Sequence, residues 1–518
     1  MSMHLTDHDL KQIDEAYLSK LTAEQLLKLS EKLLDDLRVS RDRLNQNASN
    51  SSRPSGSQAP WEQVVSGEEK KLSAEEGEGE AKEEGVKPSS ERKKAEEASQ
   101  SPKGSGSNRK PGKQPGAQGS GRRLEMRITG EVAHKATECR GCGQRFEEEV
   151  PFEVTAGKYV LDIEKRECGL EVTHVKHLYG KRLCGCGHVT QTMPMSCPEE
   201  EGWDVGLTEE HLVGPMLSSL IICLSMRMRL SRARIQELLQ EWLSISLSTG
   251  CINQCITEGG RATAPLEDDI IKLVQQSGLV FIDETGWKEN GRLVWLWVLR
   301  TATATLYIIG RRSWDVIADI MEHFAGWLMS DGYGQYRNYS KRLRCLAHLI
   351  RKARGLAESC HPEAAEFGEK VLETLALFIK GVYAARSDPD IDLLTKFASE
   401  LDNLKELCEQ HRNHSHDKTK KLAREFLNDW DAIWTVLAHP ELPITNNAAE
   451  RALRHWVISR KISSGTRNPQ GSRAFTLLAS VIDTCRQRGI SPWPYIADVI
   501  AARRKGEAPP PLPQPLLA

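Results

Sequence analysis

No hydrophobic run in the sequence is long enough to cross a lipid bilayer. The most apolar stretch is VGPMLSSLIICLSM at 213–226, which is shorter than the roughly 20 residues that a membrane-spanning helix needs. The first residues, MSMHLTDHDLKQ, also lack the basic start and the apolar core of a secretory signal. These absences argue against a membrane or exported protein, and we expect a cytoplasmic one.

Two consecutive segments lack residue types that a folded domain needs. Residues 62–100 are rich in glutamate and poor in large apolar side chains, which predicts a disordered spacer because they cannot bury enough surface to fold. Residues 103–123 contain no acidic residue and are dominated by glycine, proline, lysine and arginine. They predict a flexible basic arm that contacts phosphates through Arg109, Lys110 and Lys113, or else a simple solvated linker.

A length of 518 residues predicts several domains. In the N-terminal part, Leu26, Leu33, Leu37 and Leu44 share one helical seam, which fits either a short coiled coil or a fraying amphipathic helix. Shifts in composition and periodicity place the other boundaries. We predict a helical N-terminus at 1–48, a disordered linker at 49–129, a cysteine-containing module at 130–200, a helical region at 205–275, a strand-containing region at 276–339, an all-helical region at 340–440, a mixed region at 441–502 and a proline-rich tail at 503–518.

Four of the thirteen cysteines form two tightly spaced pairs. Cys139 and Cys142 lie in a glycine-containing turn, and Cys184 and Cys186 follow some forty residues later, close to His188. In a chain without an export signal, such pairs favour metal ligation over disulfides. Two turns of this kind can close a tetrahedral structural zinc site, on which a small module with little core would depend for folding. His188 could replace one sulfur ligand, and free thiols are the alternative.

Residues 231–258 predict two helices joined by a short break, at about Ser231–Trp242 and Ser248–Glu258. Two interpretations remain open. The pair could be a DNA-binding helix-turn-helix, although the second helix is not basic and offers only Asn253, Gln254 and Thr257 for contacts with bases. It could equally be an ordinary helical hairpin that packs on the core.

Three acidic residues have the pattern of a metal-dependent phosphodiester site. Asp283 ends the apolar run LVFI, Asp331 follows the apolar run WLMS, and Glu450 begins a helical stretch in TNNAAERALR. Two carboxylates at the ends of neighbouring strands, with a third from a helix, can hold two divalent ions that clamp a phosphodiester. Glu450 also has a structural explanation, because Asn447 and Glu450 have capping-box spacing and Arg454 could pair with Glu450.

The order of elements around the two aspartates predicts a known topology. Three strands, at LVFI, RLVWLWVLRT and ATLYIIG, precede an amphipathic helix and a fourth strand, WLMS. This order matches the first half of a ribonuclease-H-like fold, in which the first and fourth strands lie side by side. We therefore expect Asp283 and Asp331 to lie close together.

Together with the three acids, several longer motifs are specific enough to indicate a protein family. They are NASNSSRPS, RKPGKQPGAQG, the two cysteine pairs, DETGW, SDGYGQY, CLAHLIRKAR and TNNAAERALRHWVISRKISSGT. On these motifs the chain resembles the transposases of the insertion-sequence-66 family, which belong to the Asp-Asp-Glu transposases. The resemblance covers nearly the whole chain. It implies a multidomain α/β protein with a ribonuclease-H-like core, interrupted by a helical insertion between Asp331 and Glu450.

The resemblance also implies an activity and its cofactors. Asp283, Asp331 and Glu450 would be the catalytic triad and would hold two Mg²⁺ ions, while the four paired cysteines would hold a structural Zn²⁺. The substrate would be double-stranded DNA, both element ends and target, which requires at least a homodimer and invites accessory proteins of the same element. We expect phosphate contacts from basic side chains near the acids: Arg351, Lys352, Arg451, Arg454, Arg460 and Lys461.

Two points remain open at the level of sequence. Cys345 and His348 could share a helix face and bind a metal, but no second ligand pair is evident, and packing is favoured for Cys345. Two other functions also compete with a transposase. One is a catalytically inactive or domesticated zinc-containing DNA-binding protein, and the other is a nuclease of the same fold that hydrolyses DNA without joining it.

Overall fold

The computed structural model describes residues 13, 15–46, 50, 127–167, 169–199, 202–388 and 390–515. The predicted glutamate-rich spacer lies outside these ranges, as does the basic arm with Arg109, Lys110 and Lys113. Within the described ranges, no helix combines the length and the apolar character that crossing a membrane requires. The described part is a mixed α/β structure with two separate sheets and many helices.

The strands and helices follow one another from the N-terminal helices to a final helix that ends at Arg504. The strands are β1 Gly130–His134, β2 Glu153–Arg166, β3 Gly169–Leu183, β4 Val189–Gln191, β5 Leu279–Glu289, β6 Arg292–Arg300, β7 Thr305–Gly310, β8 Trp327–Ser330 and β9 Arg342–Arg344. The α-helices are α1 Glu15–Leu18, α2 Ala23–Leu44, α3 Pro215–Met226, α4 Arg232–Leu243, α5 Thr249–Thr263, α6 Leu266–Gln275, α7 Ala318–Glu322, α8 Leu346–Ala357, α9 Pro362–Ser387, α10 Leu393–Lys396, α11 Ala398–His411, α12 Asp417–Asn428, α13 Trp430–Ala438, α14 Asn447–Ser463, α15 Pro469–Gln487 and α16 Pro492–Arg504.

The first sheet lies in the cysteine-containing region and has the order β1-β3-β2, with β4 paired to β3. Its long β2–β3 hairpin is antiparallel and its β1–β3 pair is parallel. The strand-rich character predicted for residues 130–200 is therefore present. The carbonyl of Leu161 on β2 accepts a 2.7 Å hydrogen bond from the backbone N–H of Gly214, which joins this sheet to the start of α3.

The second sheet has five strands in the order β7-β6-β5-β8-β9. The three strands β5, β6 and β7 form an antiparallel meander, whereas β8 and β9 are added in parallel. The predicted neighbourhood of the first and fourth strands is present, because β5 and β8 pair from Leu279 opposite Trp327 to Phe281 opposite Met329. This pairing brings the two aspartate-bearing segments to one part of the sheet.

Two expectations about this sheet were wrong. The strand expected to end at Ile282 continues to Glu289, because it pairs with β6 from Phe281 to Glu289 and turns at Asn290 and Gly291. Both turn residues have positive φ angles, 49° and 78°, as a tight hairpin turn requires. The fifth strand, Arg342–Arg344, lies inside the region predicted to be all helical. Its alternating arginines hide the strand in the sequence, although all three residues are buried.

Residues 346–438 form a helical subregion with its own hydrophobic core. Helices α8 to α13 contribute buried side chains such as Phe367, Phe378, Phe426 and Trp434. The ring of Phe378 meets that of Trp434 edge to face, with centroids 4.9 Å apart. A core of this size explains how a long helical segment can be accommodated between β9 and α14 without entering the sheet.

The helix pair α4 and α5 begins where the sequence predicts, and Ser231 and Ser248 cap the two helices. The second helix extends to Thr263, further than expected, because its C-terminal half is buried against α3, α15 and α16. Asn253 and Gln254 remain exposed on its N-terminal half, where Asn253 accepts hydrogen bonds from Arg232. Helix α5 is therefore largely a core helix, as the helical-hairpin interpretation expects.

The N-terminal helix α2 contacts the helical subregion through a buried aspartate. Asp42 accepts hydrogen bonds of 2.6 Å from the Ser359 hydroxyl and 3.1 Å from the Cys360 backbone N–H. The helix begins with the capping box formed by Thr22 and Gln25. The leucines of the predicted seam, by contrast, are solvent-exposed: Leu26, Leu33, Leu37 and Leu44.

Two glycines of α5 give a matched test of the packing against α15. A Cβ atom at Gly260 would lie 2.5 Å from Ala474 Cβ and 2.6 Å from its Cα, whereas one at Gly250 would meet only the Ser248 hydroxyl at 3.7 Å. We expect Gly260→Ala to lower the free energy of unfolding by roughly 1–3 kcal/mol through overpacking. Gly250→Ala should be neutral or stabilising by up to about 1 kcal/mol, because alanine favours a helix.

Denaturant unfolding of both variants, followed by tryptophan fluorescence, measures the difference. Equal stabilities of the Gly260→Ala and Gly250→Ala variants would contradict the close contact between α5 and α15.

Candidate active site

Asp283 and Asp331 lie where the parallel pairing of β5 and β8 ends. The last paired residues are Phe281 and Met329, and each aspartate comes two residues later in its own segment. Asp283 is therefore in the middle of β5, and Asp331 is the first residue after β8. Both side chains are partly buried. Asp283 accepts a 2.9 Å hydrogen bond from the N–H of Glu284, and Asp331 accepts one of 2.8 Å from the N–H of Tyr333.

The electrostatic surroundings of Asp283 show that the predicted acids converge. Burial raises the pKa of the Asp283 carboxyl well above its usual value, and the negative charges of Asp331, Glu284 and Glu450 raise it further. A carboxylate surrounded by like charges favours its protonated form unless a cation is present. The structure therefore concentrates negative charge at one point between β5, β8 and α14.

Glu450 lies in the first turn of α14, and its carboxylate contacts α8. Its Oε1 atom is 3.3 Å from His348 Nε2 and 3.4 Å from an Arg351 guanidinium nitrogen. The capping-box interpretation of Glu450 is wrong, because α14 begins after Asn446 and has no side-chain capping hydrogen bond. Asn446 instead donates its side-chain amide to the carbonyl of Ile282, at 2.7 Å. This bond fastens the start of α14 to β5 one residue before Asp283.

Among the described residues, two groups of metal-binding side chains have their ligand atoms within 4.8 Å of one another. One is the four-cysteine group, and the other contains Cys345, His348 and Glu450. Asp283 and Asp331 belong to neither, although the charge of Glu450 contributes to the raised pKa of Asp283. Burial, and then the positive charges of nearby basic residues, lowers the pKa of His348 to about 3. His348 is therefore neutral at physiological pH.

A second acid of the DETGW motif supports the site and was not identified from the sequence. Glu284 is almost completely buried and accepts hydrogen bonds of 2.9 and 2.7 Å from Arg312, and another from the Tyr336 hydroxyl. The Arg312 guanidinium lies 4.2 Å from the ring centroids of both Trp295 and Tyr333. Because Tyr333 and Tyr336 follow Asp331 directly, this cluster holds the Asp331 segment against β5.

A buried ion network lies on the other side of the Asp331 segment. Arg344 on β9 is completely buried and contacts Glu425 and, at 3.2 Å, Asp429. Arg342 also reaches Asp429, at 2.7 Å. Although burial opposes it, hydrogen bonds from Arg337 and Arg342 lower the pKa of Asp429. These contacts join the helical subregion to the sheet directly behind the site.

The basic residues predicted to contact phosphates have different surroundings. Arg451, Arg454 and Lys461 are exposed along α14, and Arg460 donates a 3.2 Å hydrogen bond to Thr285 on β5. Lys352 is paired with Glu425 at 2.6 Å. On α8, Arg351 and Lys352 are each paired with an acid, Glu450 and Glu425 respectively.

A basic cavity of about 590 Å³ lies beside the far end of β5. Arg229, Arg232 and Arg467 line it, and its lining contains no acidic residue. The N-terminus of α15, capped by Asn468, borders it as well. Backbone N–H groups at a helix start and unopposed arginines both attract anions. The sequence contains these residues but gives no indication that they share one cavity.

The four paired cysteines come together as predicted. Cys139 Sγ lies 3.7 Å from Cys186 Sγ, and Cys142 Sγ lies 3.6 Å from Cys184 Sγ. Four sulfurs around a zinc ion at about 2.3 Å would be roughly 3.8 Å apart. His188 is not part of this group, and its ring packs closely over Gly141 instead.

Comparison with known proteins agrees with these motifs. A family model described as the transposase IS66 family matches residues 210–474, slightly more than half of the 518-residue chain. The chain is also similar to two uncharacterized proteins of Sinorhizobium fredii. One, y4jO, is 28% identical over 35% of this chain and 54% of its own length, and the other, y4qI, is 25% identical over 51% and 54%.

The chain spans about half the length of these curated relatives, and their names describe no activity. The family match, by contrast, begins before α3 and ends within α15. It includes β5, β8 and the start of α14, and with them the three predicted acids. The chain therefore belongs to the IS66 family of transposases.

Proposed function

We propose that the chain is a DNA transposase that cleaves element ends and transfers them to target DNA, with Asp283, Asp331 and Glu450 as its catalytic carboxylates. The observation that carries this proposal is that β5 and β8 pair up to Phe281 and Met329, two residues before Asp283 and Asp331, while Asn446 fastens the start of α14, which carries Glu450, to Ile282 of β5. The strand order β7-β6-β5-β8-β9 supports a ribonuclease-H-like core. The helical subregion between β9 and α14 fits an insertion in that core.

The chemistry of the donors fits divalent magnesium. The described hydrogen bonds to Asp283 and Asp331 come from backbone N–H groups, and burial, followed by the neighbouring negative charges, raises the pKa of Asp283. Oxygen donors of this kind are the ligands that Mg²⁺ prefers. Asp283, Asp331 and Glu450 would hold two Mg²⁺ ions, which supply activation of a nucleophile and stabilisation of the leaving oxygen.

The remaining residues would bind and orient the DNA. Arg451, Arg454 and Lys461 on the exposed side of α14 would contact phosphates near the scissile bond. The basic cavity lies around Trp287, four residues beyond Asp283, which corresponds to about 13 Å along a strand. It would hold a phosphate a short distance along the same DNA strand. On α8, Arg351 would orient Glu450.

Pairing of two element ends requires at least two copies of the chain. The exposed leucines of α2 form an unpaired apolar seam, with Leu37 54% and Leu44 84% exposed. Such a seam supports a short coiled coil between two copies. We propose a homodimer or larger assembly on DNA in the cytoplasm, with accessory proteins of the same element as further partners.

The four-cysteine group would hold a structural Zn²⁺ ion. Four thiolates leave no open coordination position, so the ion would stabilise the module rather than take part in catalysis. The sulfur separations of 3.6 and 3.7 Å suit a tetrahedral site. His188 would remain outside the ligand set.

A strand-cleavage and strand-transfer assay with Mg²⁺ and DNA carrying the element ends tests the proposed activity. We expect Asp283→Asn, Asp331→Asn and Glu450→Gln each to reduce the rate on the order of 10²–10³-fold or more, since each removes a negatively charged ligand of the proposed Mg²⁺ ions, which stabilise the transition state. Asp319→Asn, a change of an exposed aspartate on α7, is the matched control and should retain the wild-type rate.

The same assay separates the competing functions. Wild-type rates in all three acid variants, with unchanged DNA binding, would refute the triad. Cleavage without joining would identify a nuclease, and DNA binding without cleavage would identify an inactive transposase.

Two neighbouring substitutions test the zinc ligands. Cys186→Ser should lower the zinc content of the purified protein from one ion per chain and reduce its thermal stability, because the module depends on the metal. His188→Ala should retain one zinc ion. Metal analysis by mass spectrometry gives the content directly, and loss of zinc in the His188→Ala variant alone would show that histidine is the fourth ligand.

A further inference from the structure

Cys345, His348 and Glu450 form a group of side chains that the proposed catalytic role of Glu450 leaves unexplained. Cys345 precedes α8, His348 lies one turn later, and Glu450 reaches them from α14. One ligand atom from each lies within 4.8 Å of the other two. The sequence offers Cys345 and His348 as a pair, but the third member is about a hundred residues away and becomes visible only in the fold.

Hydrogen bonds and close contacts hold the three side chains in place, and one of them can be reached from solvent. The backbone N–H of Asn446 donates a 3.1 Å hydrogen bond to Cys345 Sγ, which partly offsets the rise in the pKa of this thiol that its burial causes. His348 Nε2 lies 3.3 Å from Glu450 Oε1, while His348 Nδ1 is buried and has no hydrogen-bond partner among the described residues. Cys345 is completely buried, but the Glu450 side chain is 35% exposed, so an ion could enter from that side.

The donors differ in kind from those of the proposed magnesium site. A thiolate, an imidazole and a carboxylate are the ligands of zinc and related transition metals, and three protein ligands leave a coordination position open. Magnesium prefers oxygen ligands and is poorly held by sulfur and nitrogen. Glu450 is the one residue that both ligand sets contain.

We propose that Cys345, His348 and Glu450 form a second metal site, which takes a transition-metal ion of the Zn²⁺ class. An ion bound there replaces Arg351, whose guanidinium now lies 3.4 Å from Glu450. It also holds the Glu450 carboxylate toward α8 and away from Asp283 and Asp331. If the proposed function is correct, on which this consequence rests, Zn²⁺ at this site inhibits Mg²⁺-dependent cleavage.

Cobalt binding tests the site independently of any activity. The full-length protein, with its four-cysteine group already filled with zinc, is titrated with Co²⁺, and the thiolate-to-cobalt charge-transfer absorption is recorded. The wild-type chain should bind one further equivalent of Co²⁺ with this absorption. Cys345→Ala should abolish the absorption, and His348→Gln, which keeps the thiol, should weaken Co²⁺ binding by at least about tenfold.

Cys408→Ala is the matched control, because Cys408 is also completely buried but belongs to neither group of close ligand atoms. It should bind Co²⁺ like the wild type. Equal Co²⁺ binding by the wild type, Cys345→Ala and His348→Gln would overturn the site. Circular dichroism identifies a variant that fails to fold. If Cys345→Ala fails to fold, Co²⁺ binding by His348→Gln decides whether the site exists.

Inhibition is measured with Zn²⁺ added to the cleavage assay at a fixed excess of Mg²⁺. Zinc should inhibit the wild type and the Cys408→Ala variant, and Cys345→Ala should require at least about ten times more zinc for the same fractional inhibition. Equal inhibition of all three would overturn the inhibitory role. A wild-type protein that lacks Mg²⁺-dependent cleavage but binds Co²⁺ as described would refute the proposed function and leave the metal site standing.

Discussion

The arrangement of the three acids depends on the hydrogen bonds of one buried residue, Asn446. Its side-chain amide donates a hydrogen bond to the carbonyl of Ile282 on β5, and its backbone N–H donates one to Cys345 Sγ at the start of α8. An unsatisfied buried amide costs about 1–3 kcal/mol, so these bonds strongly favour one arrangement of the three segments. Asn446 thereby sets where α14 begins, and Glu450 follows one turn later.

Charge compensation distinguishes the acids of the site from those around it. Glu284 is neutralised by Arg312, and Asp429 and Glu425 are neutralised by arginines of β9. Asp283 and Asp331 receive only backbone hydrogen bonds among those described. The surrounding ion pairs hold the backbone rigid, while the negative charge at the centre is left for a cation to neutralise. This contrast is what the proposed magnesium site requires.

Glu450 lies between the two aspartates of the proposed magnesium site and the side chains of Cys345 and His348. In the present structure it contacts His348 and Arg351 on α8 while it still acts electrostatically on Asp283. A carboxylate in the first turn of a helix can reach either side by a change of rotamer, without movement of the backbone. The same side chain would therefore complete either the proposed magnesium site on the sheet or the proposed second metal site on α8.

Local patterns in the sequence were sufficient for several parts of the structure. The apolar runs predicted four strands of the larger sheet, the cysteine spacing predicted the four-sulfur group, and the order of three strands, a helix and a fourth strand predicted that β5 and β8 are neighbours. Such patterns are visible because hydrophobic periodicity and ligand spacing are properties of short segments. The motifs around Asp283, Asp331 and Glu450 also indicated the family.

Only the tertiary structure decided which contacts these segments make with one another. β9 escaped prediction because its arginines are buried by acids of a distant helix, and Asn447 was wrongly assigned as a cap because the role of Asn446 depends on β5. The groups formed by Glu284 with Arg312, and by Cys345 with His348 and Glu450, join residues far apart in the chain. The sequence by itself determined most of the elements and indicated Asp283, Asp331 and Glu450. Their electrostatic environment and ligand partners arise from long-range contacts, which no local pattern contains.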